Sequence, residues 1–306
     1  MNGSTYNQLV SLLGKNQVRQ NETLALHTTF KMGGPAEYYF EAYTENDLAK
    51  AVKASAKLNL PLTILGGASN VIVSDEGIKG LIIHNRYSEK KIVKETQKAV
   101  YLRVSSGYSM TRLAKETAEA GLSGLEYHCG LPGTVGGALY MNSKWTKPVA
   151  YVGEAVYEAK LLNKEGNDKI VKKNYFQFAY DVSIIQKTKE IIVWVDFKLS
   201  RENPKLLIER YKKSLNYRKK TQPHGVASSG CFFRNMNDQS AGKLIDKLGL
   251  KGFAVGNLYI SNQHANFIIN KGGGSADDFK KLVKHIKKVA QDKMGIKLEE
   301  EVIFIK

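Results

Sequence analysis

The sequence predicts an α+β protein in two domains, and three observations lead there. Strand-like and helix-like runs alternate along its 306 residues, without the regular strand–helix–strand repeat of a parallel sheet. The pattern breaks at "RENP" (201–204) and resumes as a separate set of helices and strands. The length exceeds the ~100–200 residues usual for one domain and allows an ample core. The expected boundary therefore divides the chain into 1–204 and 205–306.

"AEYYFEAY" (36–43) reads as a strand, on its aromatic content. "TENDLAKAVKASAKLNL" (44–60) reads as a helix, because Thr44 is a good N-cap and Asp47 stands three residues on. "PLTIL" (61–65) is a short buried strand that runs into glycines, and "KGLIIHN" (79–85) is another. "AVYLRVSSG" (99–107) is a strand and "SMTRLAKETAEAGLSG" (109–124) a helix closed by glycine. "VYEAKLL" (156–162) and "KEIIVWVDFKL" (189–199) are strands on either side of the turn "NKEGN" (163–167). Beyond the break, "PKLLIERYKKSLNYRKK" (204–220) is a helix opened by Pro204. "CFFRN" (231–235), the helix "SAGKLIDKLGL" (240–250), the strands "GNLYIS" (256–261) and "NFIIN" (266–270), a Lys-rich helix and the strand "EEVIFIK" (300–306) complete the second part. In that Lys-rich helix Phe279, Leu282, Val283, Ile286, Val289 and Ala290 fall on one face and the lysines mostly on the other.

Hydrophobic content of 42% and charged content of 25% describe an ordinary soluble globular chain. The start lacks a basic, apolar leader, and no apolar run approaches the ~18 residues of a membrane span. The two cysteines, Cys129 and Cys231, lie far apart with no CxxC, so neither a disulfide framework nor a zinc site is expected. The expected compartment is the reducing cytoplasm, with no metal. The net charge of +17 fits an anionic partner, either nucleic acid or phosphorylated small molecules. The lysines are dispersed, and no zinc-finger spacing, ribonucleoprotein aromatics or basic recognition helix accompanies them.

Two glycine loops stand out. "LGGASN" (65–70) follows the strand "PLTIL", and "GLPGTVGGA" (130–138) follows a helix and a short polar stretch. Glycine permits positive φ and lets a ligand approach the backbone closely. Successive exposed N–H groups form a nest that suits a pyrophosphate. The expected contributors are Gly66, Gly67, Ala68, Ser69 and Asn70 in one loop and Pro132, Gly133, Thr134, Gly136 and Gly137 in the other. Neither loop is GxGxxG or GxxxxGK[ST], so dinucleotide-fold and P-loop readings are not supported.

Eight stretches then occur in the order seen in one family: "TTFKMGGPA", "LGGASNVIVSDEGIKGLII", "GLSGLEYHCGLPGTVGGALYMN", "RKKTQP", "SSGCFFRN", "AGKLIDKLGLKG", "SNQHANFIIN" and "LEEEVIFI". From about residue 20 to the C-terminus the chain resembles the UDP-N-acetylenolpyruvoylglucosamine reductases of peptidoglycan synthesis, the MurB family, in its shorter second type. The resemblance implies noncovalent FAD in a two-lobed domain of the vanillyl-alcohol-oxidase (PCMH) type, with lobes of about 20–88 and 89–204, and a smaller C-terminal substrate-binding domain. It implies NADPH as hydride donor and UDP-N-acetylglucosamine enolpyruvate as acceptor. The expectation for the whole chain is a cytoplasmic monomer that binds neither nucleic acid nor membrane.

The resemblance also assigns roles. Hydride reaches the β-carbon of the enolpyruvyl group, charge develops on its carboxylate, and a general acid protonates the α-carbon. The family's acid is a Ser, and Cys231 matches it; a free thiol, with a reference pKa of about 8.5, is largely protonated at neutral pH and can give up a proton. Glu301 matches the Glu that assists at the enol. Arg218 matches an Arg that reaches the flavin, and Tyr180, Asn235 and His264 match positions facing the substrate. The family's Tyr–Arg pair is broken here, because Asp181 follows Tyr180; Arg234 and Arg218 are the nearest replacement cations by motif. His128 and Cys129 precede the second glycine loop at positions that do not match flavin-linking residues. Two other readings stay open on the residues: a flavin oxidase of the same fold with another substrate, and a nonenzymatic nucleic-acid-binding protein.

Overall fold

The structure, a computed structural model, describes residues 4–236 and 239–306. It falls into two compact units, each assembled from three segments. The first holds Met1–Gln20, Tyr38–Gly67 and Gly80–Tyr217; the second holds Asn21–Glu37, Ala68–Lys79 and Arg218–Lys306. This differs from the expected 1–204 and 205–306. The helix Pro204–Thr221 opens no new domain: it belongs to the first unit as far as Tyr217. Two early segments join the C-terminal part for a nonlocal reason. Val71–Val73 pairs in parallel with Ile303–Ile305, and Phe30 and Met32 enter the same core as Phe232 and Phe279.

Two sheets organise the chain outside its C-terminal third. One runs in the order Val18–Thr23, Pro35–Ala42, Ile78–Asn85, Leu62–Leu65, its last pair parallel with Leu62 opposite Leu81. The helix Glu45–Lys57 packs apolar residues Leu48, Ala51 and Val52 into a core shared with Phe40 and Leu81. Its first turn carries the expected capping box, with Thr44 and Asp47 each bonding the other's backbone. The other sheet is antiparallel, in the order Asp168–Lys172, Val156–Leu162, Ile191–Arg201, Ala99–Ser105, Lys90–Glu95. Its buried face and the helix Met110–Glu119 enclose Leu102, Val104, Leu113, Val195 and Phe197.

In the second unit the short strands Ala254–Val255, Leu258–Ile260 and Ile268–Asn270 form an antiparallel sheet. Against it lie the helices Ala241–Lys247 and Ala276–Met294. The apolar face expected for the Lys-rich helix is the one it buries, with Val289 partly covered at its edge. Phe30, Phe232 and Phe279 meet with ring centroids 5.4, 5.5 and 6.3 Å apart. A capping box at Ser275 and Asp278 starts that helix, and Gly295 at φ +66° ends it.

Candidate active site

The strand Leu62–Leu65 delivers Gly66 and Gly67 onto the loop that precedes the helix Val135–Tyr140. A Cβ on Gly66 would lie 2.3 Å from Thr134 Oγ1, and one on Gly67 would lie 2.5 Å from Gly133 Cα. The two glycine loops thus meet backbone to backbone, a contact only glycine permits. Among the described residues the N–H groups of Gly66, Gly67, Gly133 and Thr134 have no protein acceptor. Adjacent free amides in a side-chain-free cradle are what a diphosphate requires, so these residues fit the pyrophosphate of FAD.

The other glycines of the nest act differently from expectation. Gly136 donates its N–H to the Ser106 carbonyl at 2.8 Å, and its missing Cβ lets Ser106 approach. Gly137 donates to Thr134 Oγ1 at 3.4 Å, as part of the N-cap. Both glycines shape the loop, and their amides are used within it. Pro132 is exposed ahead of Gly133, and Ser69 is half-buried. Ala68 holds φ +45°, and its carbonyl accepts from the Thr29 N–H at 3.3 Å. Asn70 is also redirected. Its side-chain amide donates to the Glu301 carbonyl at 3.3 Å, while its own carbonyl accepts from the Ile303 N–H at 3.0 Å.

Residues 231–234 form no regular strand but are bonded on both sides. Cys231 bridges Phe267, and the Phe232 N–H donates to the Asn266 carbonyl at 2.9 Å. Asn266 also bonds both backbone groups of Phe233 through its side chain, at 2.9 and 2.8 Å. On the opposite side the Arg234 N–H donates to the Glu299 carbonyl at 2.9 Å, and the Glu301 N–H donates to the Phe232 carbonyl at 2.8 Å. Phe232 and Phe233 are both buried, which anchors the segment, while Cys231 and Glu301 stay half-exposed. Gly230, at φ +80°, makes the turn that leads in. The backbone of Glu301 is therefore held one residue from Cys231.

Asn235 is exposed, and its Oδ1 accepts from the Ala241 N–H at 3.0 Å, so part of its bonding starts the helix Ala241–Lys247. His264 is half-buried; its Nδ1 accepts from the Asn266 N–H at 3.2 Å, which puts the ring proton on Nε2. Burial pushes its pKa down, with Lys251 adding to that and Asp246 opposing it, so the neutral imidazole is favoured. Arg218, in the last turn of its helix, donates to Gln222 Oε1 at 3.1 Å. Of the candidate replacement cations, Arg234 has its Nε buried without a hydrogen-bond acceptor among the described residues.

Tyr180 and Asp181 occupy a tight turn in the first unit, closed by reciprocal bonds between Ala179 and Val182 at 3.0 and 3.3 Å. Asp181 is buried at φ +53°. Asp tolerates that left-handed conformation better than Arg does. Sequence reading missed Asn266, Asn142 and Lys144, all of which organise these regions. Asn266 lies inside "SNQHANFIIN", a quoted stretch whose polar core signalled it. Cys129 is buried, and its thiol donates to the Tyr211 carbonyl at 3.4 Å, a structural role.

A cradle of free amides that fits the diphosphate of FAD points to the class, an FAD-dependent oxidoreductase. Residues 36–167 match the model of an FAD binding domain, and residues 222–305 match that of the UDP-N-acetylenolpyruvoylglucosamine reductase C-terminal domain. The UDP-N-acetylenolpyruvoylglucosamine reductase of Anoxybacillus flavithermus is 36% identical over 287 residues, 93% of each chain. Those of Bacillus subtilis and Chlamydia abortus are 34% and 37% identical, each over 94% of both chains. The crystal structure of the reductase from Thermus caldophilus superposes with a TM-score of 0.81 at 30% identity, over 94% of this chain and 100% of that one. A glucose oxidase variant of Phl p 4, 11% identical with a TM-score of 0.52, shares the fold alone. The chain belongs to the UDP-N-acetylenolpyruvoylglucosamine reductase family, and FAD is its cofactor. Among the described residues no helix is long and apolar enough to cross a membrane.

Proposed function

We propose that the protein reduces UDP-N-acetylglucosamine enolpyruvate to UDP-N-acetylmuramate with NADPH, as a cytoplasmic step of peptidoglycan precursor synthesis. The observation that carries this is the bonded segment holding Glu301 one residue from Cys231, in a chain similar to the reductases almost from end to end. FAD, when bound, supplies the relay of hydride from NADPH to the β-carbon of the enolpyruvyl group. Gly66, Gly67, Gly133 and Thr134 hold its diphosphate noncovalently. The Cys231 thiol gives its proton to the α-carbon, so hydride and proton add across the double bond, and the thiolate regains a proton from water. Glu301 orients the enol and supports charge development on its carboxylate. His264 offers Nε2–H as a neutral donor toward the substrate, with Asn235 and Tyr180 lining it and Arg218 serving the flavin. The basic charge serves capture of anionic small molecules by a monomer, rather than nucleic acid.

The alternative, a flavin oxidase with another substrate, drew its support from Asp181, and the likeness to the reductases over 93% of the chain weighs against it. The test is optical. The purified protein is expected to be yellow, to bleach anaerobically with NADPH, and to regain colour on addition of UDP-N-acetylglucosamine enolpyruvate. A colourless protein, or a bleached one that recovers colour only with oxygen, contradicts the proposal.

A further inference from the structure

The helix Val135–Tyr140, which starts at the flavin cradle, ends in a two-stranded hairpin, Lys144–Thr146 paired with Val149–Tyr151. The hairpin is fixed at its base. The Ser143 N–H donates to the Ala138 carbonyl at 2.8 Å, and the Val152 N–H donates to the Ser143 carbonyl at 3.0 Å. Asn142, buried at φ +45°, donates from its side chain to the Ala179 carbonyl at 2.9 Å and accepts from the Gly153 N–H at 3.1 Å. Trp145 is buried, and its Nε1–H donates to the Lys147 carbonyl at 2.9 Å. This bonding ties the hairpin to the turn that carries Tyr180.

Lys144 projects from this rigid base. Its ammonium lies 5.6 Å from the ring centroid of Tyr151 and 5.1 Å from that of Tyr180. The lysine is half-buried, and among the described residues it has no carboxylate and no hydrogen-bond acceptor. Of the other ring-facing lysines of the same unit, some are neutralised, while Lys94 and Lys147 are exposed to water. Lys169, 4.3 Å from Tyr175, is paired with Glu190 at 2.6 Å, and Lys172, 4.1 Å from Tyr157, is paired with Glu158 at 2.6 Å. A partly desolvated cation between two aromatic rings, with no counter-charge, is poised for an anion supplied from outside. The flexible stem and compact charge of lysine suit a single oxyanion.

A helix about 9 Å long and the turn after it stand along the chain between Thr134 and Lys144, so this oxyanion is assigned to a ligand other than the flavin whose diphosphate is placed at Gly133 and Thr134. We propose that Lys144 binds an oxyanion, phosphate or carboxylate, of the UDP-linked substrate. The inference rests on the functional reading above, which expects Tyr180 beside that substrate.

The test uses the flavin-loaded enzyme with Lys144→Met and Lys144→Arg, and separates the two half-reactions. In Lys144→Met the substrate concentration that half-saturates reoxidation of the reduced flavin should rise about 10- to 100-fold. Its reduction by NADPH should keep the wild-type concentration dependence. Lys144→Arg should recover most of the loss, which a purely structural role would not predict. In the wild type, UDP-N-acetylglucosamine enolpyruvate should protect Lys144 from an amine-acylating reagent, read by peptide mass spectrometry, and NADPH should not. This arm stands if the Met variant fails to fold. Unchanged half-saturation in Lys144→Met, a shift confined to NADPH, failure of the Arg variant to recover, or equal acylation with and without substrate would each overturn the proposal. A wild-type enzyme whose reduced flavin ignores the substrate would instead bring down the functional reading itself.

Discussion

At Gly66, Gly67, Gly133 and Thr134 the groups proposed to act are backbone amides, whereas at Cys231 and Glu301 they are side chains on a stretch of backbone that is already bonded. The cradle works because side chains are absent: atoms 2.3 and 2.5 Å from the missing Cβ positions leave no room for one. In the proposed catalytic segment, bonds from Asn266, Glu299 and Glu301 hold the main chain of residues 232–234, so the backbone next to position 231 is fixed by its neighbours. Shape is therefore inseparable from function in the cradle and separable from it at Cys231. A hydroxyl is therefore expected to replace the thiol at 231 without disturbing the segment around it.

The comparison is challenged hardest at Gly67. Gly67→Val places a branched side chain against the Gly133 backbone, and the variant should fold yet purify with at least about tenfold less flavin. The ratio of visible to ultraviolet absorbance, together with circular dichroism, reads both quantities. Full flavin occupancy would mean that the two loops do not hold the diphosphate. A far smaller effect is expected one residue on. Ala68 sits at φ +45°, which costs an L-residue about 1–2 kcal/mol, partly offset by the greater entropy that glycine has when unfolded. Ala68→Gly should thus raise stability by roughly 0.5 kcal/mol, seen as a small upward shift of the denaturation midpoint. A clear loss of stability would show that the loop does not strain that residue.

Local signals in the sequence were legible where one residue type has one use. Thr44 and Asp47 announced the capping box, the apolar stripe from Phe279 to Ala290 announced its helix, and the paired glycines announced the cradle. Nonlocal pairing was not legible. Nothing in "VIV" (71–73) names Ile303–Ile305 as its partner, so the second unit gained segments that no local pattern assigns to it. The edge strand Lys90–Glu95 is exposed throughout and lacks the buried alternation that marks a strand. The hairpin at 144–151 mixes two lysines, two aromatic residues and Pro148 without a period. Asn70 looked like a cofactor donor because motif position says nothing of which neighbour a side-chain amide meets; here it meets the backbone of Glu301. Asp181 reads as a lost cation, and nothing in the sequence signals that its backbone adopts a left-handed φ, which Asp takes up more readily than Arg.

Separability at residue 231 is measured most directly by single-turnover reoxidation of the NADPH-reduced enzyme by UDP-N-acetylglucosamine enolpyruvate, in wild type, Cys231→Ala and Cys231→Ser. Cys231→Ala should keep its flavin and its reduction by NADPH, while reoxidation by substrate slows by about 10²- to 10⁴-fold for want of the acid. Cys231→Ser, which supplies a hydroxyl on the same bonded backbone, should retain substantial activity. An alanine variant that reoxidises at the wild-type rate would contradict the account and leave Cys231 a structural thiol at a glycine turn.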